Sequence, residues 1–350
     1  MAETLKTYIE QVIERNASDL HFSVGQAVDI RVDDELLTVS DGALSEAEMD
    51  AILKELIPED KQAELKESHS VDFSYDYEGK ARFRVNVYEY KGKLAAALRL
   101  IPAKVMTIEE LGLPEELREF ASNKQGMVLA VGPAGHGKTT TIAAMIEHIN
   151  ANRADHIITI EDPIEYLFEP KKSMVNQREV GEDTRSFPQA LKMALRQDPD
   201  VVVVGEMRDL ETIQAAITLA ETGHLIFSTL HTNDASQTID RMIDVFPPHQ
   251  QQQVRIQLAE SLMGIVSQRL VPKINGGRAV AVEVLKITPA VRNLIREGKA
   301  YQIKNVIQTS GEEGMRTLEV SLAHLVASGE ISEETAYAYA LDKQQLANLL

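Results

Sequence analysis

Cysteine is absent from the 350 residues. That excludes disulfides and any thiolate zinc or iron–sulfur site, and it suits a reducing cytosol. Long apolar runs are absent too: no stretch approaches the ~18 residues of a membrane-spanning helix, so a membrane role is expected only through partners. The opening Met1-Ala-Glu-Thr-Leu-Lys carries Glu3 and no apolar core, so no secretory signal is expected there. Positive charge is scarce, since 36 Lys and Arg against 54 Asp and Glu give −18. This balance argues against a surface adapted to nucleic acid, although a local basic channel stays open. There is neither an internal repeat nor a low-complexity tail. The 44% hydrophobic content excludes wholesale disorder. The length is large for a single core, so two domains are expected.

One stretch organises the rest: Gly132-Pro-Ala-Gly135-His136-Gly137-Lys138-Thr139-Thr140. It fits G-x-x-x-x-G-K-[ST]. An apolar strand, Met127–Val131, precedes it, and a helix over Thr139–Asn150 follows, with Ile142, Met145, Ile146 and Ile149 at helical spacing. The glycines let successive N–H groups turn inward toward phosphate oxygens, and the helix N-terminus adds partial positive charge. Lys138 can reach the β- and γ-phosphates, and the Thr139 hydroxyl can ligate Mg²⁺. The chain is expected to bind a nucleoside triphosphate.

Before the loop, Leu5, Tyr8, Ile9, Val12 and Ile13 form an amphipathic stripe, and Val28–Val32 alternates as a strand. Ser45 to Ile57 reads as a helix, with Ser45 as N-cap and Glu48 at the capping-box position. Strands over Val71–Tyr75, Arg82–Tyr88 and Leu94–Ile101 follow, the first two joined by a turn at Tyr77-Glu-Gly79-Lys. Residues 1–101 thus read as a small α+β domain, and 102–116, with Pro102 and Pro114, as a linker. From there strands alternate with helices: His156–Ile160, a helix over Phe187–Gln197, Val201–Val204, a helix over Leu210–Thr222, then Leu225–Leu230. Alternation after a phosphate loop predicts an α/β core over 117–288, with a doubly wound sheet whose ligand lies at the carboxyl ends of the strands. Residues 289–350 look helical, in pieces over Val291–Glu297, Tyr301–Ile307, Met315–Ala327, Glu333–Leu341 and Gln344–Leu350.

The chemistry-bearing residues fall at strand ends. Asp200-Val-Val-Val-Val-Gly205-Glu206 resembles a Walker B strand, but Gly205 stands where Asp is common and Glu206 follows. Glu206 is open to service as general base, as orienter of magnesium-bound water, or as both. Glu161, Asp162 and Glu165 form a second acidic cluster, read either as ligands or as ordinary turn acids. Extended chain between His224 and His231 puts them roughly 23 Å apart, so they cannot share a metal. His231, at the carboxyl end, is the better placed to sense phosphate, and His224 reads as a strand-start polar residue. Arg82 and Arg84 share one face of their strand, and Arg99 lies on the next. They read either as a solvated face or as charge supplied to leaving phosphates.

Together these segments resemble the secretion-type ATPases, and within them the retraction motors of type IV pili. Ala17-Ser-Asp-Leu-His21, Ala81-Arg-Phe-Arg-Val-Asn86 and Arg99-Leu-Ile-Pro102 resemble first-domain signatures of that family. Ile160-Glu-Asp-Pro-Ile-Glu165 resembles its acidic box, and Gly223-His224 with Ser228-Thr-Leu-His231-Thr its histidine box. Ala290-Val-Arg-Asn-Leu-Ile-Arg-Glu297 is similar to the segment that marks retraction motors. The chain departs at Ala134 and His136, where Thr and Ser are usual, and at Ala27-Val28 and Asp33-Asp34. The resemblance implies a PAS-like first domain, a RecA-like second domain, a homohexameric ring and Mg-ATP between subunits. It implies Glu206, Glu165, Arg84, Arg99 and His231 as catalytic residues and Thr139, Glu206 and Glu165 around the metal. It also implies a cytoplasmic protein docked at the inner-membrane platform of the pilus machinery. Extension ATPases of the superfamily carry a four-cysteine zinc element and an extra N-terminal region, neither of which is expected here. Two rival readings remain: a nucleic-acid translocase, opposed by the charge, and a nucleotide-binding regulatory subunit, opposed by intact Lys138, Thr139 and Glu206.

Overall fold

The computed structural model describes residues 4–32, 35–101 and 104–350. Asp33, Asp34 and Pro102 lie outside the described residues. The fold is α/β with two sheets, and the chain divides into two compact units, 1–104 with 163–167 and 105–162 with 168–350.

The first unit holds a six-stranded sheet in the order β3-β2-β1-β6-β5-β4. Its strands are β1 Asp19–Ser23, β2 Asp29–Val32, β3 Glu35–Thr38, β4 Ser70–Tyr77, β5 Ala81–Tyr90 and β6 Lys93–Ile101, with helices α1 Leu5–Glu14, α2 Glu46–Leu56 and α3 Lys61–Ser68. All its pairings are antiparallel. Leu5, Tyr8, Ile9 and Val12 of α1 are buried as the stripe predicts, whereas Ile13 is exposed, one step off the core-facing arc. The capping box at α2 forms: the Glu48 N–H donates to Ser45 Oγ, and the Glu48 carboxylate accepts from the Ser45 N–H. Leu20, Phe22, Ile30, Phe73, Val85 and Leu98 fill the core of this unit. The signature stretch at Ala17–His21 leads into β1, which begins at Asp19, a strand its short, polar sequence does not announce.

The second unit holds a seven-stranded sheet in the order β13-β12-β7-β11-β10-β8-β9. These strands are β7 Gly126–Val131, β8 His156–Glu161, β9 Met174–Glu179, β10 Val201–Val204, β11 Leu225–Leu230, β12 Leu262–Pro272 and β13 Arg278–Lys286. All pair in parallel except β13, which runs antiparallel to β12, so the sheet is mixed. Successive residues of the central strands enter two cores, one on each face. Val202, Val204, Leu129 and Ile226 belong to one, and Val201, Val203, Val128 and Phe227 to the other. That is why these strands read as unbroken apolar runs.

Helices α4 Glu116–Ser122, α5 Lys138–Asn152, α6 Phe187–Ala194, α7 Leu210–Glu221, α8 Ala235–Asp244 and α9 Pro248–Ser261 accompany the sheet. The helix expected to reach Gln197 stops at Ala194, because the chain turns into Asp198 at φ 53°. The glutamine-rich α9 gives little periodic signal, with Val254, Leu258 and Ala259 its buried apolar residues. The last segment forms α10 Pro289–Arg296, α11 Ile303–Thr309, α12 Leu318–Ala327, α13 Glu333–Tyr339 and α14 Lys343–Ala347. The helix expected from Met315 starts at Leu318, because Arg316 bridges to Val284 of β13 and Thr317 becomes the N-cap. Within 102–116, Ile108 and Leu113 are buried in the core of the second unit. Among the described residues no helix is long and apolar enough to cross a membrane.

Candidate functional site

Parallel strands put their carboxyl ends on one edge, so β7, β11, β10 and β8 deliver their trailing loops together. The phosphate loop follows β7. Gly132 has φ 146°, and a Cβ there would lie 2.5 Å from the Gln268 carbonyl, so only glycine lets β12 pass this close. Lys138 is buried, and its ammonium donates to the Gly132 and Pro133 carbonyls at 2.9 and 2.8 Å. Gly135 and Gly137 take left-handed φ values of 76° and 80°, and Thr139 and Thr140 stand in the first turn of α5.

His231, past β11, stands between the two charged ends of the site. Its Nδ1 is 3.5 Å from Lys138 Nζ, and its Nε2 is 3.7 Å from the Glu206 carboxylate. Burial and the charge of Lys138 hold this imidazole below its ordinary pKa, against the pull of Glu206. A neutral ring there keeps one nitrogen as acceptor and one as donor. Glu206 also pairs with Arg208 at 2.8 Å, a partner that sequence reading had passed over although the residue stands two places on. The Thr229 hydroxyl donates to the Gly205 carbonyl at 2.7 Å and so fixes the loop that carries Glu206. A Cβ at Gly205 would lie 3.4 Å from both the Glu161 Cα and the Ile160 carbonyl, an ordinary contact, so packing does not demand glycine where Asp is common.

The second acidic cluster divides. Glu161 is buried and accepts from Thr159 at 2.6 Å and Gln177 at 3.3 Å, a structural role. Asp162 is exposed. Glu165 belongs to the segment 163–167 grouped with the first unit. His224 Nδ1–H donates to the Leu219 carbonyl at 2.9 Å, and so closes the end of α7 rather than joining the site.

Arg84 and Arg99 lie directly opposite each other on β5 and β6, and Arg99 in turn faces Asp19 on β1. Arg99 Nε donates to Asp19 at 2.8 Å, and Arg31 on β2 lies 3.9 Å from the same carboxylate. Burial raises the Asp19 pKa, but hydrogen bonds from Ser18 and Arg99 outweigh it and hold the carboxyl below its usual range. Arg84 is loosely placed, 4.0 Å from Asp72. The exposed cations therefore form a row across one face of the first sheet.

Beside the loop, a cavity of about 590 Å³ opens within the second unit, lined by Leu111, Leu113, Thr140, Leu270, Arg278 and Val280 among others. Its walls mix these apolar side chains with Glu109, Glu110, Gln268, Lys273 and Glu330. As for a cation, Thr139 and Glu206 offer a hydroxyl and a carboxylate, hard oxygens that Mg²⁺ takes together with phosphate and water. Among the described residues no three His, Cys, Asp or Glu side chains gather into a metal cage, so Mg²⁺ here would need nucleotide phosphates to complete its shell. The donor set fits that ion.

At the other edge of the sheet, Val291 and Ile295 of α10 are buried and Leu294 packs beside them, as the spacing predicts. Arg292 and Arg296 both reach Glu260 of α9, Arg292 at 3.1 Å.

A largely parallel sheet with a glycine-rich lysine loop after one of its buried inner strands, facing Glu206 and His231, defines a phosphate-loop nucleotide-binding protein. The chain belongs to the type II/IV secretion system protein family, whose profile matches residues 1–337. It is 48% identical over 323 residues to the type IV pilus retraction ATPase PilT of Pseudomonas aeruginosa, covering 92% of this chain and 94% of that one. It is 44% identical to a twitching motility protein of Neisseria gonorrhoeae, over 91% of this chain and 85% of that one. Among solved structures it superposes on the pilus retraction motor PilT with bound ADP at a TM-score of 0.93 and 46% identity, with 99% of each chain covered.

Proposed function

We propose that this chain is the ATPase motor that withdraws type IV pili, coupling ATP hydrolysis to pilus disassembly. The observation that carries the reading is the line Lys138–His231–Glu206 at the carboxyl edge of a sheet shared with a retraction motor that binds ADP. On this reading the backbone of Gly132–Thr140 cradles the phosphates, Lys138 leaves its loop carbonyls for the β- and γ-phosphates, and the base enters the cavity beside Thr140. Mg²⁺, when bound, would neutralise developing phosphate charge, with Thr139 and Glu206 as protein ligands and Glu165 as a further candidate. Glu206 orients the attacking water and takes its proton. The water oxygen bonds to the γ-phosphorus as the bond to the β–γ bridging oxygen breaks, releasing ADP and phosphate. His231, neutral, transmits the charge change between Lys138 and Glu206.

The exposed row of Arg84 and Arg99 fits charge supplied to nucleotide on a neighbouring subunit of a homohexamer. We further assign a PAS-like domain to 1–101, a linker to 102–116, a RecA-like core to 117–288 and its helical extension to 289–350. Docking is at the inner-membrane pilus platform from the cytoplasmic side, with no direct nucleic-acid role. Phosphate release by purified protein, and restored twitching when the gene complements a retraction-deficient strain, test the reading. Hydrolysis stimulated by DNA without restored motility would replace it with a translocase. Mixing Lys138→Ala with Arg84→Ala protein should regain part of the lost activity. Failure of such mixtures, with hexamers confirmed by light scattering, counts against action between subunits.

A further inference from the structure

β12 is longer than the strand it accompanies. Its pairing with β7 ends at Ser267 opposite Val131, and the next three residues run on alongside the phosphate loop. Those residues hold the loop at both ends. The Gln268 carbonyl is the group that bars any side chain from Gly132, and Gln268 Nε2 donates to the His136 carbonyl at 2.6 Å. The Leu270 N–H has no strand beyond Val131 to bond. It donates instead to His136 Nδ1 at 2.9 Å, so the imidazole serves as the missing ladder partner. Next along the strand, Arg269 donates to the Asn233 carbonyl and side chain, at 3.2 and 3.0 Å, in the loop that follows His231.

We propose that His136 is a positioning residue: as a neutral imidazole with Nδ1 unprotonated, it docks the phosphate loop onto β12 and sets the loop's nucleotide-binding shape. This inference rests on the nucleotide-binding reading above and deepens it. The bond requires the tautomer with hydrogen on Nε2, because a proton on Nδ1 would set one N–H against another. The charged groups facing the ring are Lys138 of α5, Arg269 of β12 and Arg278 of β13. Burial and these three cations hold the imidazole below its ordinary value, so the docked form is the resting form at neutral pH. Acid protonates it, removes the acceptor and adds a fourth cation to a cationic corner.

Two variants of the full chain separate the acceptor from the ring. His136→Asn keeps an oxygen where Nδ1 stands. His136→Leu keeps bulk and loses the acceptor, and His136→Ser, too short to reach the Leu270 N–H, replaces it if the leucine protein does not fold. The readouts are ADP affinity by calorimetry at pH 8 and pH 5.8, and steady-state ATP hydrolysis. His136→Leu should bind ADP about tenfold more weakly, with the loss in KM and with kcat within about threefold, as for a contact made equally in ground and transition states. His136→Asn should stay within about threefold of the parent. On acidification the parent should lose more affinity than His136→Asn, and that ratio cancels the titration of ADP itself. Parental affinity in His136→Leu, equal weakness in Leu and Asn, or a ratio flat in pH would each overturn the role. No ADP binding by the parent would remove the nucleotide reading and this inference with it.

Discussion

The two sheets put function in different places because they are buried differently. In the first unit, β5 alternates between a buried face, with Phe83, Val85 and Val87, and an open one that carries Arg84. A chemical group can stand in mid-strand there, and the arginine row does. In the second unit β7, β10 and β11 are buried along their whole length on both faces. None of these three strands carries a charged or imidazole side chain, and Lys138, Glu206 and His231 all come one or more residues past a strand end. A half-solvated sheet offers a surface, whereas a fully covered one offers an edge.

The largest expected effect is at that edge. Glu206→Gln should retain nucleotide binding and slow hydrolysis by ~10²-fold or more, the loss expected of a general base or water orienter. Lys138→Ala should weaken nucleotide binding itself. Parental turnover in Glu206→Gln would move the role to Glu165, and single-turnover assays decide it.

Next comes the contrast in burial. Val202→Asn and Val203→Asn, neighbours on β10, should each destabilise by about 2–4 kcal/mol, since either side of that strand is core. On β5, Val85→Asn should cost a similar amount, while Arg84→Asn should stay within about 0.5 kcal/mol. Urea unfolding of the four proteins measures this. A cheap substitution at either β10 position would break the comparison.

A smaller, pH-dependent effect marks a carboxyl buried within the sheet of the second unit. Glu283 of β13 is buried, accepts from the Ala235 N–H at 2.9 Å, and has its pKa pushed up to about 7 by burial. The folded state holds its proton more tightly than the unfolded state. The stability it contributes is therefore complete below its unfolded value, near 4.5, and is lost as pH rises through about 7. Glu283→Gln should be more stable than the parent by about 1–3 kcal/mol at pH 8, with the difference closing by pH 5. Melting curves at the two pH values test it, and a constant difference would refute the assignment.

The smallest effect on the folded chain should come from α10. Arg292 and Arg296 share Glu260, so the face that sequence alone leaves as a free pair of arginines is tethered to α9. Replacing Arg292 and Asn293 with alanine should leave unfolding and basal hydrolysis nearly unchanged and yet abolish twitching, leaving cells heavily piliated. Normal twitching would remove this face from coupling to the pilus.

Much of this could be read from local pattern. The loop at Gly132–Thr139, the runs at 127–131, 201–204 and 225–230, and the capping box at Ser45 each depend on residues within a few places of one another. The elements that escaped were those whose partners lie far off. β1 is stabilised between β2 and β6, and β13 closes on β12. The buried stripe of α9 is hidden among glutamines.

By itself the sequence determined that there is a phosphate loop, an alternating first sheet and a second one with fully buried inner strands, because backbone dihedrals, caps and apolar periodicity are settled by near neighbours. Only the tertiary structure decided that His231 stands between Lys138 and Glu206, that Arg84 faces Arg99, and that His136 bonds the Leu270 N–H, 134 residues away. Those pairings depend on strand order and register. Register is fixed when distant apolar faces are buried together, a global condition that no local window of the chain contains.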